Sequence, residues 1–169
     1  MGNVALVEGS SRSNGDTRRL TDHLLQNQTQ WVRFDLNQFN IEHYDYSYQN
    51  RHDDFLQLAQ QLLTFPKILL VSPVYWYAVS GRMKVFMDRI SDLLDHPNKD
   101  LGRQFRGKVM GSLSCSRDPN LVPGFEMPLR ETAQYLGMDY VGHFHAWVVE
   151  NSIPAAAAEQ LNRLVENLS

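Results

Sequence analysis

Residues 9–17 read GSSRSNGDT and follow the apolar run VALV after a single residue, Glu8. Glycine, small hydroxyls, an amide, one carboxylate and one guanidinium make a segment that can cradle an anion but cannot build a core. Three phosphate-handling patterns fail on it. It is not G-x-x-x-x-G-K-[ST], because Asp16 follows Gly15 where the lysine belongs, so nucleoside-triphosphate chemistry is excluded. It is not G-x-G-x-x-G either, since no glycine stands between Gly9 and Gly15. A low-molecular-weight phosphatase loop needs a cysteine five residues before an arginine, and none is present. What remains is a loop that enters a helix N-terminus. There the N–H groups of Asn14, Gly15, Asp16 and Thr17, the hydroxyls of Ser10 and Thr17, and the Arg12 guanidinium can converge on a terminal monoester phosphate. The carboxylate of Asp16 suits a helix N-terminus but would repel a phosphate dianion, so its side chain is expected to turn outward.

Such a loop needs a strand before it and a helix after it, and the rest of the chain repeats that pattern. Residues 4–8 (VALVE) read as a buried strand, and a helix over 17–27 follows with Leu20, Leu24 and Leu25 on one face. WVRFD at 31–35 alternates as a second strand. Its last residue, Asp35, would suit a ribose hydroxyl in a dinucleotide fold, a weak hint without the glycines. A polar, aromatic loop leads to a helix over 53–64, closed by Pro66. KILLVS at 67–72 is the most apolar strand and the expected sheet centre. Ser80 can cap a helix carrying Met83, Phe86, Met87, Ile90, Leu93 and Leu94 at helical spacing. Further strands are expected over 108–114 and 140–149, with helices over 128–137 and 154–168.

Five strands alternating with five helices predict one α/β domain: a doubly wound five-stranded parallel sheet in the order 2-1-3-4-5, with helices on both faces. Ligands in such sheets bind beyond the carboxyl ends of the strands, where the winding reverses. Three loops fall there, at 9–16, 73–79 and 115–126. The second opens with Pro73, Val74, Tyr75, Trp76 and Tyr77, whose rigid backbone and flat side chains could border a planar ring or simply cap the core.

With both stretches in view, the chain resembles the flavodoxin-like NAD(P)H-dependent FMN and quinone reductases. GSSRSNGDT is similar to their FMN-phosphate loop, and SPVYWYAVSGRMKVFMDR is similar to their aromatic turn followed by a glycine and a K-x-F-x-D-R helix. The resemblance implies FMN as cofactor, NADPH or NADH as electron donor, and a quinone or similar small oxidant as acceptor in a ping-pong cycle. It implies that Ser10, Arg12, Ser13, Asn14, Gly15, Asp16 and Thr17 hold the phosphate. It places Pro73 to Tyr77 at the ring, and Ser114, Cys115, Ser116 and Arg117 at the ring edge where negative charge builds. No protein side chain is required as acid or nucleophile. A homodimer or homotetramer is also implied, with the aromatic run HYDYSY either a substrate-facing flap or a subunit surface. A flavodoxin-type carrier and a flavin-free regulator on the same fold remain open. Carriers are usually strongly acidic around the flavin, which Arg12 and Arg117 do not suggest.

Other classes are disfavoured by composition. A formal charge of −3 with scattered basic residues does not point to nucleic acid. The longest apolar stretch, ILLVSPVYWYAV, is too short to span a bilayer, and MGNVALVEGS lacks the basic start of a signal peptide. Gly2 could accept myristate, but Leu6 stands where that motif needs Ser or Thr. A cytoplasmic protein is expected. The single cysteine, Cys115, excludes an internal disulfide and a cysteine-ligated cluster within one chain, and reads as a small buried thiol. His143 and His145 share a face of the last strand, without a third metal ligand in view. Asp88 and Arg89 are expected to make a structural ion pair, on the helix or across a subunit contact.

Overall fold

The computed structural model describes residues 3–50 and 52–169; Gly2, and with it the myristate reading, lies outside them. Five parallel strands form the sheet: β1 (Val4–Glu8), β2 (Trp31–Asp35), β3 (Lys67–Tyr75), β5 (Val109–Ser116) and β6 (Asp139–Trp147). They lie in the order β2-β1-β3-β5-β6. This is the expected 2-1-3-4-5 path, renumbered because a short strand β4 (Ala78–Val79) intervenes in the chain and pairs antiparallel with the end of β3. That hairpin was missed because residues 73–79 alternate too briefly to read as two strands. Its consequence is that β3 runs three residues past the expected Ser72, carrying Pro73 and Val74 to the ligand end of the sheet.

Every residue of β1 is buried, as both neighbours and both faces demand. Alternation then builds two cores. On one face Ala5, Val7, Ile68 and Leu70 pack with helices α2 (Phe55–Leu62), α3 (Gly81–Arg89) and α5 (Met127–Tyr135). On the other, Val4, Leu6, Leu69 and Val71 pack with α1 (Asp16–Asn27) and α6 (Ala155–Leu168). A short helix, α4 (Lys99–Gly102), links α3 to β5 and carried no readable period. Gly9 sits where β1 meets α3: a Cβ there would lie 2.8 Å from that of Met83, so only glycine lets the loop pass so close.

The β5–β6 ladder contains one irregularity, between Met110 and Ser112. Opposite it, Gly142 adopts φ 115°, a bulge conformation open chiefly to glycine. The extra residue changes the parity of β6, so that Tyr140 and His143, three apart, both reach Ser112.

Candidate functional site

The carboxyl ends of β1, β3 and β5 open onto a cleft of about 230 Å³. Ser10, Arg12, Asp16 and Thr17 line it from the first loop, Pro73, Val74 and Tyr75 from the second, and Cys115, Ser116 and Arg117 from the third. Ser13, Asn14 and Gly15 lie on the same loop but border a separate recess outside α1.

In the first loop Ser10 and Thr17 are each only 3% exposed, so their hydroxyls sit at the floor. Gly15 caps α1 in extended geometry and no side chain satisfies the helix's first N–H groups. Those donors, with the positive end of the helix dipole, are thus left for an anion. Arg12 folds over Gly15 so closely that a Cβ on that glycine would fall 2.6 Å from its Nε. The Asp16 carboxylate does not simply point away: it accepts from Arg19 at 3.2 Å and meets Arg117 at 3.5 Å, so two cations offset its charge beside the cleft.

A polar cluster at the ends of β1 and β2 holds this loop. Asn37 Nδ2 donates to the Ser10 carbonyl at 2.8 Å and to Asp35 Oδ1 at 2.9 Å. Burial works against ionisation of Asp35, yet hydrogen bonds from Ser13 and Asn37 and the charge of Arg18 hold its carboxyl below the usual range. Asp35 is therefore spent on positioning the loop, and its ribose reading is withdrawn. Glu8, fully buried, accepts from the Thr21 hydroxyl at 2.7 Å and from Arg18 Nε at 3.2 Å. None of these partners was readable, because they converge from separate elements.

The second loop is a two-residue hairpin. Trp76 and Tyr77 have φ of 49° and 65°, a primed turn that normally calls for Asn-Gly. Each bulky residue in that region costs about 1–2 kcal/mol, and Trp76 is 93% exposed, so its ring recovers little by packing. Ser80 ties the hairpin to the first loop: its N–H donates to Ser72 Oγ at 2.9 Å, its hydroxyl donates to the Gly9 carbonyl, and its oxygen caps α3 at Met83 N.

In the third loop, burial pushes the Cys115 thiol up to about 12 against a hydrogen bond from Thr17, so it is a neutral wall of the cleft. Ser114, expected at the ring edge, faces the opposite side of the sheet. There its Oγ lies 2.9 Å from His143 Nε2 and 2.7 Å from His145 Nδ1. Burial, and then the neighbouring His145, lowers His143 to about 4. The alternation Ser112-x-Ser114-x-Ser116 against His143-x-His145 was visible in the sequence and signals this ladder. Among the described residues no group of three His, Cys, Asp or Glu is placed to hold a metal. Within the chain Asp88 and Arg89 do not pair with each other but each enters an ion pair: Lys84 takes Asp88 at 2.6 Å on the helix, and Arg89 turns inward to Asp53 and Asp92.

The doubly wound sheet is a flavodoxin-like fold, with an uncapped helix terminus, an anion loop and an aromatic turn at its ligand end. Residues 3–152 match the model of the NADPH-dependent FMN reductases, and the chain belongs to that family. It is 22% identical over 154 residues to the Bacillus subtilis protein YwqN, whose name describes an NAD(P)H-dependent FMN-containing oxidoreductase, covering 83% of this chain and 82% of that one. The structure of a Trp repressor binding protein from Bacillus subtilis superposes with TM-score 0.76 at 20% identity, covering 98% of this chain and 97% of that one. General stress protein 14 of Treponema denticola, solved in complex with FMN, gives 0.64 at 14% identity, over 98% and 95%. FMN is thus the cofactor and NAD(P)H the electron donor. The buried Ser10 and Thr17 hydroxyls, the free α1 terminus and Arg12 fit the cofactor's phosphate.

Proposed function

We propose that this protein passes electrons from NAD(P)H through FMN to a quinone or a similar small flat oxidant bound in the same cleft. The observation that carries this reading is the convergence of three separate loops on one cleft whose phosphate end is prebuilt and whose ring end is open. Bound FMN supplies hydride acceptance and return. The chain's own part is to anchor the phosphate through Ser10, Arg12, Thr17 and the α1 N–H groups. Pro73 to Tyr75 would border the ring, and Ser116 and Arg117, which line the same cleft, would lie at the edge where negative charge collects. We further infer a homo-oligomer, because Trp76, Tyr77 and Tyr46 leave large aromatic surfaces exposed, and a cytoplasmic setting, which suits a lone buried thiol.

Stopped-flow mixing of the FMN-loaded protein with NADPH or NADH tests the reading. The flavin should bleach, and a quinone added in a second mix should restore its oxidised spectrum. A flavin that stays oxidised with both nucleotides would make this a carrier and overturn the proposal. In the same preparation Arg12→Ala should weaken FMN by about 1.5–3 kcal/mol, the scale of a charge-assisted hydrogen bond. Fluorescence titration giving an unchanged affinity would remove Arg12 from the site.

A further inference from the structure

A continuous chain of hydrogen bonds runs between β5 and β6 and ends at the loop that lines the cleft. Tyr140 Oη lies 2.6 Å from Ser112 Oγ, and Ser112 Oγ lies 2.8 Å from His143 Nδ1. His143 Nε2 continues to Ser114 Oγ at 2.9 Å, and Ser114 Oγ to His145 Nδ1 at 2.7 Å. His145 Nε2 then meets the Asp118 carbonyl at 2.8 Å and Ser116 Oγ at 3.3 Å. Both inner hydroxyls are fully buried, and the Phe125 ring covers His143 at 5.3 Å.

With His145 neutral, the direction of every bond follows from donor and acceptor counting. A carbonyl can only accept, so His145 carries a proton on Nε2, and in its neutral form the bare Nδ1 accepts from Ser114. That uses the single hydroxyl proton of Ser114, which must therefore accept from His143 Nε2–H. His143 is neutral, so its Nδ1 accepts from Ser112, and Ser112 in turn accepts from Tyr140. One proton at one end decides all the others.

We propose that Tyr140, Ser112, His143, Ser114 and His145 form a proton relay that delivers a proton from the Tyr140 end of the sheet to His145, at the base of the cleft's third loop. A proton added to the Tyr140 oxygen, from Glu126 or water, sends the tyrosine proton to Ser112. The Ser112 proton moves to His143 Nδ1, the His143 Nε2 proton to Ser114, and the Ser114 proton to His145 Nδ1. Each O–H or N–H bond that breaks is replaced by one that forms on the next atom. The result is one proton taken up at Tyr140, a cationic His145, and every bond of the chain reversed without a side chain moving. His143 passes the charge but does not keep it, consistent with its low pKa of about 4.

The groups around the two ends allow this. His145 faces Ser114 and Ser116 on β5, the Asp118 carbonyl on the loop, and His143 and the stacked Trp147 ring on its own strand. The Asp118 carboxylate is occupied by Asn120, and Arg117 pairs with Asp16. At the other end the Tyr140 hydroxyl is held up to about 12, chiefly by burial, with Ser112 and Glu126 as its hydrogen-bond partners and Glu126 and Arg130 as its charged neighbours, so Glu126 is placed to exchange the proton that starts the relay. The use of the relay rests on the oxidoreductase reading. Reduction of an oxidant by NAD(P)H moves two electrons and one proton as hydride, and a second proton is needed for a two-electron, two-proton product. Ser116, which touches His145 and lines the cleft, is the last step toward it.

Histidine ¹⁵N chemical shifts and couplings, recorded against pH with and without FMN, test the relay. At alkaline pH both rings should be neutral Nε2–H tautomers. As His145 takes a proton, His143 should switch to the Nδ1–H tautomer at the same midpoint while staying neutral. A His143 that keeps Nε2–H through that step, or either ring found as Nδ1–H at alkaline pH, overturns the relay. Ser114→Ala should uncouple the two rings, and should slow proton uptake, followed with an indicator dye during reduction by NADPH, at least tenfold. Uptake as fast as in the unaltered protein would overturn its use. If NADPH fails to reduce the flavin at all, the functional reading fails, and the tautomers still decide the relay.

Discussion

Replacing Arg89 by methionine is expected to destabilise the protein by about 3–5 kcal/mol, the cost of removing one partner from a buried ion pair. Arg89 is 2% exposed although it is a long, charged side chain. Its Nε donates to Asp92 at 2.8 Å, its terminal nitrogens donate to both oxygens of Asp53, and they also reach the carbonyls of Glu42 at 3.0 Å and Asn50 at 3.1 Å. The guanidinium lies 4.9 Å from the centre of the Phe55 ring. One side chain therefore joins α3, the start of α2 and the long connection between β2 and α2. Methionine keeps the packing on Phe55 but strands two buried carboxylates and two carbonyls, which is why the loss should exceed that of an ordinary surface pair. Lysine should rescue little, since a single ammonium cannot serve a forked set of acceptors.

The same group gives a pH dependence. Burial raises the Asp53 carboxyl, but hydrogen bonds from Arg89 and from the Glu42 and Phe55 N–H groups, together with the Arg89 charge, bring it below the usual range. A folded value below the unfolded one stabilises the protein fully above the unfolded aspartate range, near pH 4, and that contribution is lost as pH falls through the depressed folded value. Urea unfolding of the natural protein should thus show stability declining below about pH 4, and Arg89→Met should flatten that decline. A variant within 1 kcal/mol of the natural protein would mean that the pair contributes almost nothing net.

The Arg89 junction also marks how far the sequence could be read. The outlines of β1 and β2 were legible to the residue, because VALVE and WVRFD are bounded by polar turns and packed by the period-two rule. The cleft's three loops were legible for a related reason: each follows an apolar strand and departs abruptly from its pattern. What was not legible depends on distance in the chain. Arg89 looked like the partner of adjacent Asp88, and only the fold brings it to Asp53, 36 residues away. Asp35 looked free for a ligand until Arg18 and Asn37 arrived from other elements. Ser114 was placed at the cleft by its position in the chain, yet strand alternation turns it to the other face while Cys115 lines the site. The bulge at Gly142 is the extreme case, since one residue of φ 115° decides which face Tyr140 occupies.

The primed hairpin supplies the remaining large effect, and there stability and function should move in opposite directions. Trp76 and Tyr77 hold a left-handed backbone that Asn-Gly adopts at ease, and their rings project from the turn with little contact to lose. Trp76→Asn combined with Tyr77→Gly should relieve about 1–2 kcal/mol of strain at each position and return about 0.5–1 kcal/mol to the added glycine's entropy. The net expectation is a gain of about 1–3 kcal/mol in the stability of the FMN-free protein, read by urea or thermal unfolding. Strain kept at the mouth of a cleft is a mark of function, so the same variant should reduce its flavin with NADPH more slowly in single-turnover mixing. Trp76→Ala alone should slow reduction with almost no change in melting. If the rings were packing instead, Trp76→Ala would cost about 3–5 kcal/mol, as large-to-small core substitutions do. Lower stability combined with normal reduction would show that the aromatic turn is structural, and Trp76 would leave the ring site.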